Sequence, residues 1–335
     1  MNKIKIDKAL IMKVLKIAFL VLVAFFLIRY FKRNIKEIRE LDFKPNWGVF
    51  ALSMLFYFVY KVTLASLWHY ITYLNDSSIA YKDAVVGYLY SILGKYIPGK
   101  VFMLAARLPA YEKEGVNLGK VTICFFLENI CTLLGAAFLF LVSLFFFPRT
   151  ALMDLAHKIV PNASEETALY IFIGMLVLLI IAFFICINPA IINFFLRNFG
   201  KIIKKQDMEI PITYPQMIKV VLLFIANWIV VGAGFYLLVR SIYPVPLSEA
   251  LYCAGIYGIS AIIGILAIFT VSGLGVREGI IGVCLALIIP SEPTIVIISV
   301  ISRLWATVAE LILIAIAAII NNFVLKNKDN KKQKK

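Results

Sequence analysis

Ser272-Gly273-Leu274-Gly275-Val276-Arg277-Glu278-Gly279 interrupts an apolar stretch that otherwise runs from 249 to 290. A second interruption, Gly94-Lys95-Tyr96-Ile97-Pro98-Gly99-Lys100, splits the run 83–106. Proline removes a helix donor and glycine loosens the backbone. Inside lipid such breaks strand polar backbone groups, so they persist only where protein or a wet cavity covers them. Both stretches are therefore predicted to be re-entrant or discontinuous helices buried in a bundle. Pro98, Gly99, Gly273 and Gly275 are the expected hairpin breaks.

The surrounding chain supports that setting. Of 335 residues, 62% are hydrophobic and 16% charged. A soluble domain is nearer half apolar and a quarter charged. The excess excludes a disordered chain, a collagen-like fibre and a disulfide-stapled secreted domain. The expected fold is an all-α, polytopic integral membrane helix bundle. A span takes ~20 residues, so this length allows roughly seven to nine crossings. Apolar runs fall at 12–31, 47–70, 83–106, 119–147, 167–188, 216–240, 249–271, 276–290 and 294–322. Residues 1–325 read as a single transmembrane domain, with 9–31 as a retained first helix and 326–335 as a disordered, Lys-rich cytoplasmic tail.

The net charge is +15, and much of it sits at the two ends. Eleven of the 34 basic residues lie within 1–46, and six more lie in the last ten positions. Basic residues beside spans mark the cytoplasmic side and attract anionic lipid. Loop 189–215, with Arg197, Lys201, Lys204 and Lys205, is predicted inside, as is the C-terminus. Loops 148–166 and 241–248 are predicted outside. The N-terminus is expected inside, with 32–42 an amphipathic interfacial segment. This placement points to a multi-pass protein of the cell (plasma) membrane. No soluble domain presents a basic patch to nucleic acid.

Cys124, Cys131, Cys186, Cys253 and Cys284 all fall inside apolar runs and form no CxxC pair, so they read as buried packing residues. His69 and His157 are too few for a zinc site. There is no P-loop, GxSxG or HExxH motif, and no cofactor is implied.

Most ionisable residues lie in loops, but Glu128, Arg303 and Glu310 stand inside long apolar runs. A charge at mid-bilayer costs at least ~2.5–3.5 kcal/mol, so each should face the bundle interior and meet a partner or water. Arg303 and Glu310 share a helix face two turns apart, too distant for a direct pair on one straight helix. Lys95, Lys100 and Arg107 surround the first break; Arg277 and Glu278 follow the second. Arginine forks and mobile lysines suit a phosphate. The acids would balance those cations or receive a head-group ammonium. The alternative is a structural ion network that holds the broken helices. Thirty residues after Pro98 stands Glu128, and thirty after Gly273 stands Arg303. Interrupted segments in corresponding places of two halves are the mark of inverted-repeat transporters. An inverted repeat with diverged sequence is thus a further expectation.

Leu93-Gly94-Lys95-Tyr96-Ile97-Pro98-Gly99-Lys100-Val101, Glu128, and Ser272 to Gly279 followed by Arg303 resemble one family. It is the membrane region of lysylphosphatidylglycerol synthase/flippase, the bacterial multiple peptide resistance factor, which also has stand-alone members. Two departures stand out. Val101-Phe102-Met103 replaces the Gly-Glu that many members carry after the first turn, and Val271-Ser272 replaces Pro-Gly before the second. Bifunctional members add a soluble aminoacyl-transferase domain. With the sequence ending at Lys335, the resemblance implies the lipid-handling half alone.

The leading expectation is a flippase-like protein that moves a phospholipid or lipid-linked head group between leaflets. The candidate head-group site is Lys100, Arg107, Glu128, Arg277, Glu278, Arg303 and Glu310. Its partners would be anionic or zwitterionic membrane lipids. The alternatives are a membrane-embedded transferase, with Glu128 or Glu278 as general base, and a membrane partner subunit of a separate synthase or glycosyltransferase.

Overall fold

The computed structural model describes residues 45–96, 101–146, 153, 156, 164–202, 209–267, 273 and 275–332. The chain divides into two units, 1–44 and 45–335. The expected first helix and interfacial segment lie outside the described residues, and so do Pro98, Gly99 and Lys100.

Every regular element described is helical. In chain order they are α1 (Trp47–Leu74), α2 (Tyr81–Ser91), α3 (Val101–Lys113), α4 (Leu118–Leu144), α5 (Glu165–Cys186), α6 (Pro189–Ile202), α7 (Tyr214–Ile242), α8 (Ala250–Leu266), α9 (Val276–Leu285) and α10 (Glu292–Lys332). Local chemistry sets their starts. The Asn46 side chain accepts from the Val49 N–H, and Asn117 accepts from the Gly119 and Lys120 N–H groups. The Gln216 side chain reaches back to the Thr213 N–H. Each satisfies helix donors that would otherwise be orphaned at a membrane face.

Among the described residues, six helices are long and apolar enough to cross a membrane, by length and composition alone: α1, α4, α5, α7, α10, and α8 with the short turn before it. The outward residues of α5, including Tyr170, Leu178 and Ile185, are exposed and apolar, as a lipid-facing surface requires.

Two pairs of helices fold back on themselves. In the first, Arg107 Nε donates to Ser91 Oγ at 3.0 Å, and a Cβ on Gly87 would lie 3.9 Å from that of Ala110. A Cβ on Gly94 would fall 2.5 Å from the Met103 backbone N. This register makes α2 and α3 an antiparallel hairpin. Arms of 11 and 13 residues are about 16 and 20 Å long, short of a ~30 Å hydrocarbon core. In the second pair, Tyr252 OH donates to Cys284 O at 3.2 Å, and Arg277 lies over Tyr257. So α8 and α9 are also antiparallel. Gly273, at φ +71°, lies so close to Gly264 that a Cβ there would come within 2.8 Å of its Cα. Both expected breaks are therefore hairpins whose arms meet backbone to backbone near their tips.

The hairpins come from opposite faces of the bundle. Asn46 N donates to Ser241 O at 2.8 Å, and Gly234 packs against Ser53 and Phe56, so α1 and α7 run antiparallel. One hairpin follows the C-terminal end of α1, the other that of α7. Each is closed by a further span, α4 or α10. The result is two units of span, hairpin and span in inverted orientation, as the spacing of the breaks predicts.

Two expectations need correcting. The stretch 189–215 is not all loop, because α6 occupies Pro189–Ile202. Charge counting overlooked its pattern of Ile191, Ile192, Phe194 and Phe195 against Arg197 and Lys201, which suits an interfacial helix. The Lys-rich end is helical as far as Lys332, rather than disordered. Between Thr294 and Lys332 there is no proline or glycine to stop α10.

Candidate functional site

Lys61 is at the midpoint of α1 and Trp228 at that of α7. Around this level four spans and hairpin arms bring aromatic rings together. Tyr57 and Trp305 have ring centroids 4.6 Å apart, Tyr257 and Trp305 5.7 Å, and Tyr60 and Trp228 5.9 Å. The tips of both hairpins reach the same depth. Lys95, at the end of the first, shares an acceptor with Lys61. In the second, Gly258 meets Ala136 and Gly255 meets Ser143. Followed at equal rise, the end of α8 comes level with the middle of α4.

Three ionic groups organise this centre. Glu310 of α10 is buried and accepts from Tyr57 OH at 2.9 Å and from Lys61 Nζ at 2.9 Å. Its other oxygen pairs with Lys95. This group crosses between the inverted halves. The second group lies within the second half, where Arg303 Nη1 donates to Glu278 Oε1 at 2.6 Å. The remaining Glu278 oxygen accepts from the Gly275 N–H at 2.8 Å and so caps α9. Gly275, at φ +81°, takes a left-handed conformation that side chains resist. The third group lies within the first half, where Arg107 of α3 pairs with Glu128 of α4. Its guanidinium carbon is 4.2 Å from the Tyr88 ring, 4.3 Å from Trp68 and 5.2 Å from Phe125.

The groups differ in access. The Arg107 side chain is 1% exposed. Lys95 keeps 23%, Lys61 13%, Glu278 12% and Arg303 10% of their side-chain surface, though all are at or near mid-bundle. Arg277 of α9 adds a cation with its guanidinium 4.3 Å from the Tyr257 ring. Lys61, Lys95, Arg277 and Arg303 thus face Glu278 and Glu310, leaving a positive excess among the described residues.

Of the residues expected from sequence, Arg277, Glu278, Arg303 and Glu310 gather at this centre, while Arg107 and Glu128 form a separate, sealed pair. Lys100 lies outside the described residues. Arg303 and Glu310 do not pair directly; side chains from other helices occupy each of them. Sequence reasoning missed Lys61 and Tyr57. A lone lysine in the middle of the run 47–70 was the available signal. Trp68 and Trp228 are buried inside the bundle, whereas Trp47 is exposed at the end of α1. Cys124, Cys131 and Cys253 are buried free thiols.

No curated protein matches the chain. The family model described as lysylphosphatidylglycerol synthase TM region matches residues 13–321, a range that takes in both hairpins and every ionic group above. The chain belongs to the lysylphosphatidylglycerol synthase TM region family.

Proposed function

We propose that this protein translocates a phospholipid or lipid-linked head group between the leaflets of the cell membrane. One observation carries the reading. Two hairpins, inserted from opposite faces, converge on charged side chains that keep accessible surface in the middle of the bundle. A lipid head group must cross that level, and its phosphate needs cationic donors there. Arg277 and Arg303 supply them. Glu278 and Glu310 hold these cations in place and offer an acceptor to a head-group amine. Arg107 and Glu128 already satisfy one another, so in this reading they fix the first hairpin without touching substrate.

Inverted units of this kind open to alternate faces by rocking against each other. Among the described residues, the Glu310 group is an ionic contact that joins the halves, and such a motion must break it. An anionic head group competes with Glu278 for Arg303, and a head-group ammonium competes with Lys95 for Glu310. The face with loops 75–80 and 114–117, α6 and the C-terminal end of α10 carries Lys82, Lys113, Lys120, Arg197 and Lys201. We place that face in the cytoplasm.

The test is leaflet exchange in vesicles. The purified protein is reconstituted with a panel of fluorescent phospholipids, and wild type is compared with Arg303→Ala. Exchange of at least one anionic or zwitterionic lipid above empty vesicles, and its loss in the variant, is the expected result. Exchange equal to empty vesicles for every lipid would overturn the reading.

A further inference from the structure

The Nε and Nη2 atoms of Arg277 are buried and have no hydrogen-bond partner. These two nitrogens form one edge of the guanidinium fork, the edge that meets two oxygens of an anion in parallel. The surrounding acceptors are engaged elsewhere. Glu278 is bound to Arg303 and to the Gly275 N–H, and Glu310 is bound to Tyr57 and Lys61. Tyr257 covers one face of the guanidinium, its ring centroid 4.3 Å from the guanidinium carbon. A further buried donor without a partner, the Trp305 indole N–H, belongs to the ring packed 5.7 Å from Tyr257. Buried donors are almost always satisfied in native proteins, and orphaned charged ones are the most costly. Three such donors around one tyrosine, in a region of excess positive charge, have the chemistry to receive an anion.

We infer that the Nε–Nη2 edge of Arg277 is a bidentate oxyanion site that takes a phosphate group, with Tyr257 as its floor. The assignment rests on the lipid-handling reading for the class of ligand, and it separates two arginines that the sequence could not. Arg303 meets a phosphate only in competition with Glu278, whereas the Nε–Nη2 edge of Arg277 receives it without displacing a carboxylate.

Binding to the delipidated full chain in detergent tests this, with three probes. Dioctanoyl phosphatidylglycerol carries a phosphodiester and tails, dioctanoylglycerol has the tails alone, and glycerol 3-phosphate has the phosphate alone. Arg277→Lys keeps the charge but loses the fork. It is expected to weaken phosphatidylglycerol binding roughly tenfold or more while leaving dioctanoylglycerol unchanged. Unchanged phosphatidylglycerol affinity would overturn the site. Fork-dependent binding of glycerol 3-phosphate as well would uphold the site and make a soluble phosphate a second source of ligand. Fork-dependent binding of the lipid alone would uphold it with the lipid as source.

A stability measurement guards against a purely structural role. Arg277→Met removes the orphaned donors, so the lipid-free protein should unfold at the same or a higher temperature. It should also lose the stabilisation that phosphatidylglycerol gives wild type. A lower unfolding temperature without lipid would overturn the site. If wild type binds through the fork yet moves no lipid between leaflets, translocation falls and the phosphate site stands.

Discussion

Arg303 and Glu310 are two turns apart on α10, and each holds a different hairpin. Arg303 binds Glu278 of the second, and Glu310 binds Lys95 of the first. One helix therefore offers a cation to the hairpin from one face and an anion to the hairpin from the other. The two contacts are not equal in cost. Glu310 is buried and balances two lysines, whereas Arg303 and Glu278 retain surface. Glu310→Gln leaves Lys61 and Lys95 uncompensated and should destabilise the protein by about 3–5 kcal/mol. Glu278→Gln should cost clearly less. Unfolding in detergent compares them, and equal losses would contradict this ranking.

Arg107–Glu128 and Glu278–Arg303 occupy corresponding places with their signs exchanged. In each half, the outgoing arm of the hairpin is tied to the span that follows it. The first pair is sealed among aromatic rings, which makes it replaceable by apolar groups of similar size. Glu128→Leu alone strands the guanidinium and should cost about 3–5 kcal/mol. Arg107→Met with Glu128→Leu should recover most of that loss and preserve leaflet exchange. A double variant as unstable as the single one would show that the charges do more than lock α3 to α4.

That exchange of sign explains what the sequence could and could not convey. The two breaks and their common spacing to Glu128 and Arg303 were visible, because proline, glycine and intramembrane charge are rare and costly in lipid. The inverted arrangement left no residue identities, since an ion pair holds equally well with its ends exchanged. The Lys95–Glu310 contact joins positions 215 residues apart and follows only from how the halves pack. Lys61 was hidden by its apolar neighbours. The separation of Arg277 from Arg303 depends on Glu278 pairing with the second and not the first, and no spacing rule supplies that.

Close backbone contacts make the hairpins sensitive to single methyl groups. A Cβ at Gly232 of α7 would fall 2.2 Å from the Ala254 Cβ and 2.7 Å from its Cα. At Gly273 a Cβ meets the Gly264 backbone and a positive φ as well. Gly279, on the exposed side of α9, has nothing within 4 Å. Gly232→Ala and Gly273→Ala should each cost about 1–3 kcal/mol. Gly279→Ala should be neutral or slightly stabilising, since alanine favours the helix. Thermal unfolding of the three variants checks the order, and an equally harmful Gly279→Ala would count against the register of the second hairpin.

The orientation proposed from the basic face is testable with thiol chemistry. Glu114 lies in the exposed loop between α3 and α4, on the face with Lys113 and Lys120. Ser248 lies in the exposed turn before α8, on the opposite face. Positively charged loops are retained inside, so Glu114→Cys should resist a membrane-impermeant maleimide in intact cells and react after permeabilisation. Ser248→Cys should react in intact cells. The native thiols at 124, 131 and 253 are buried, so the unsubstituted protein supplies the background. Labelling of Glu114→Cys alone in intact cells would reverse the assignment and put the C-terminal end of α10 outside. Labelling of both from one side would contradict the inverted placement of the hairpins, because these two loops flank hairpins that come from opposite faces.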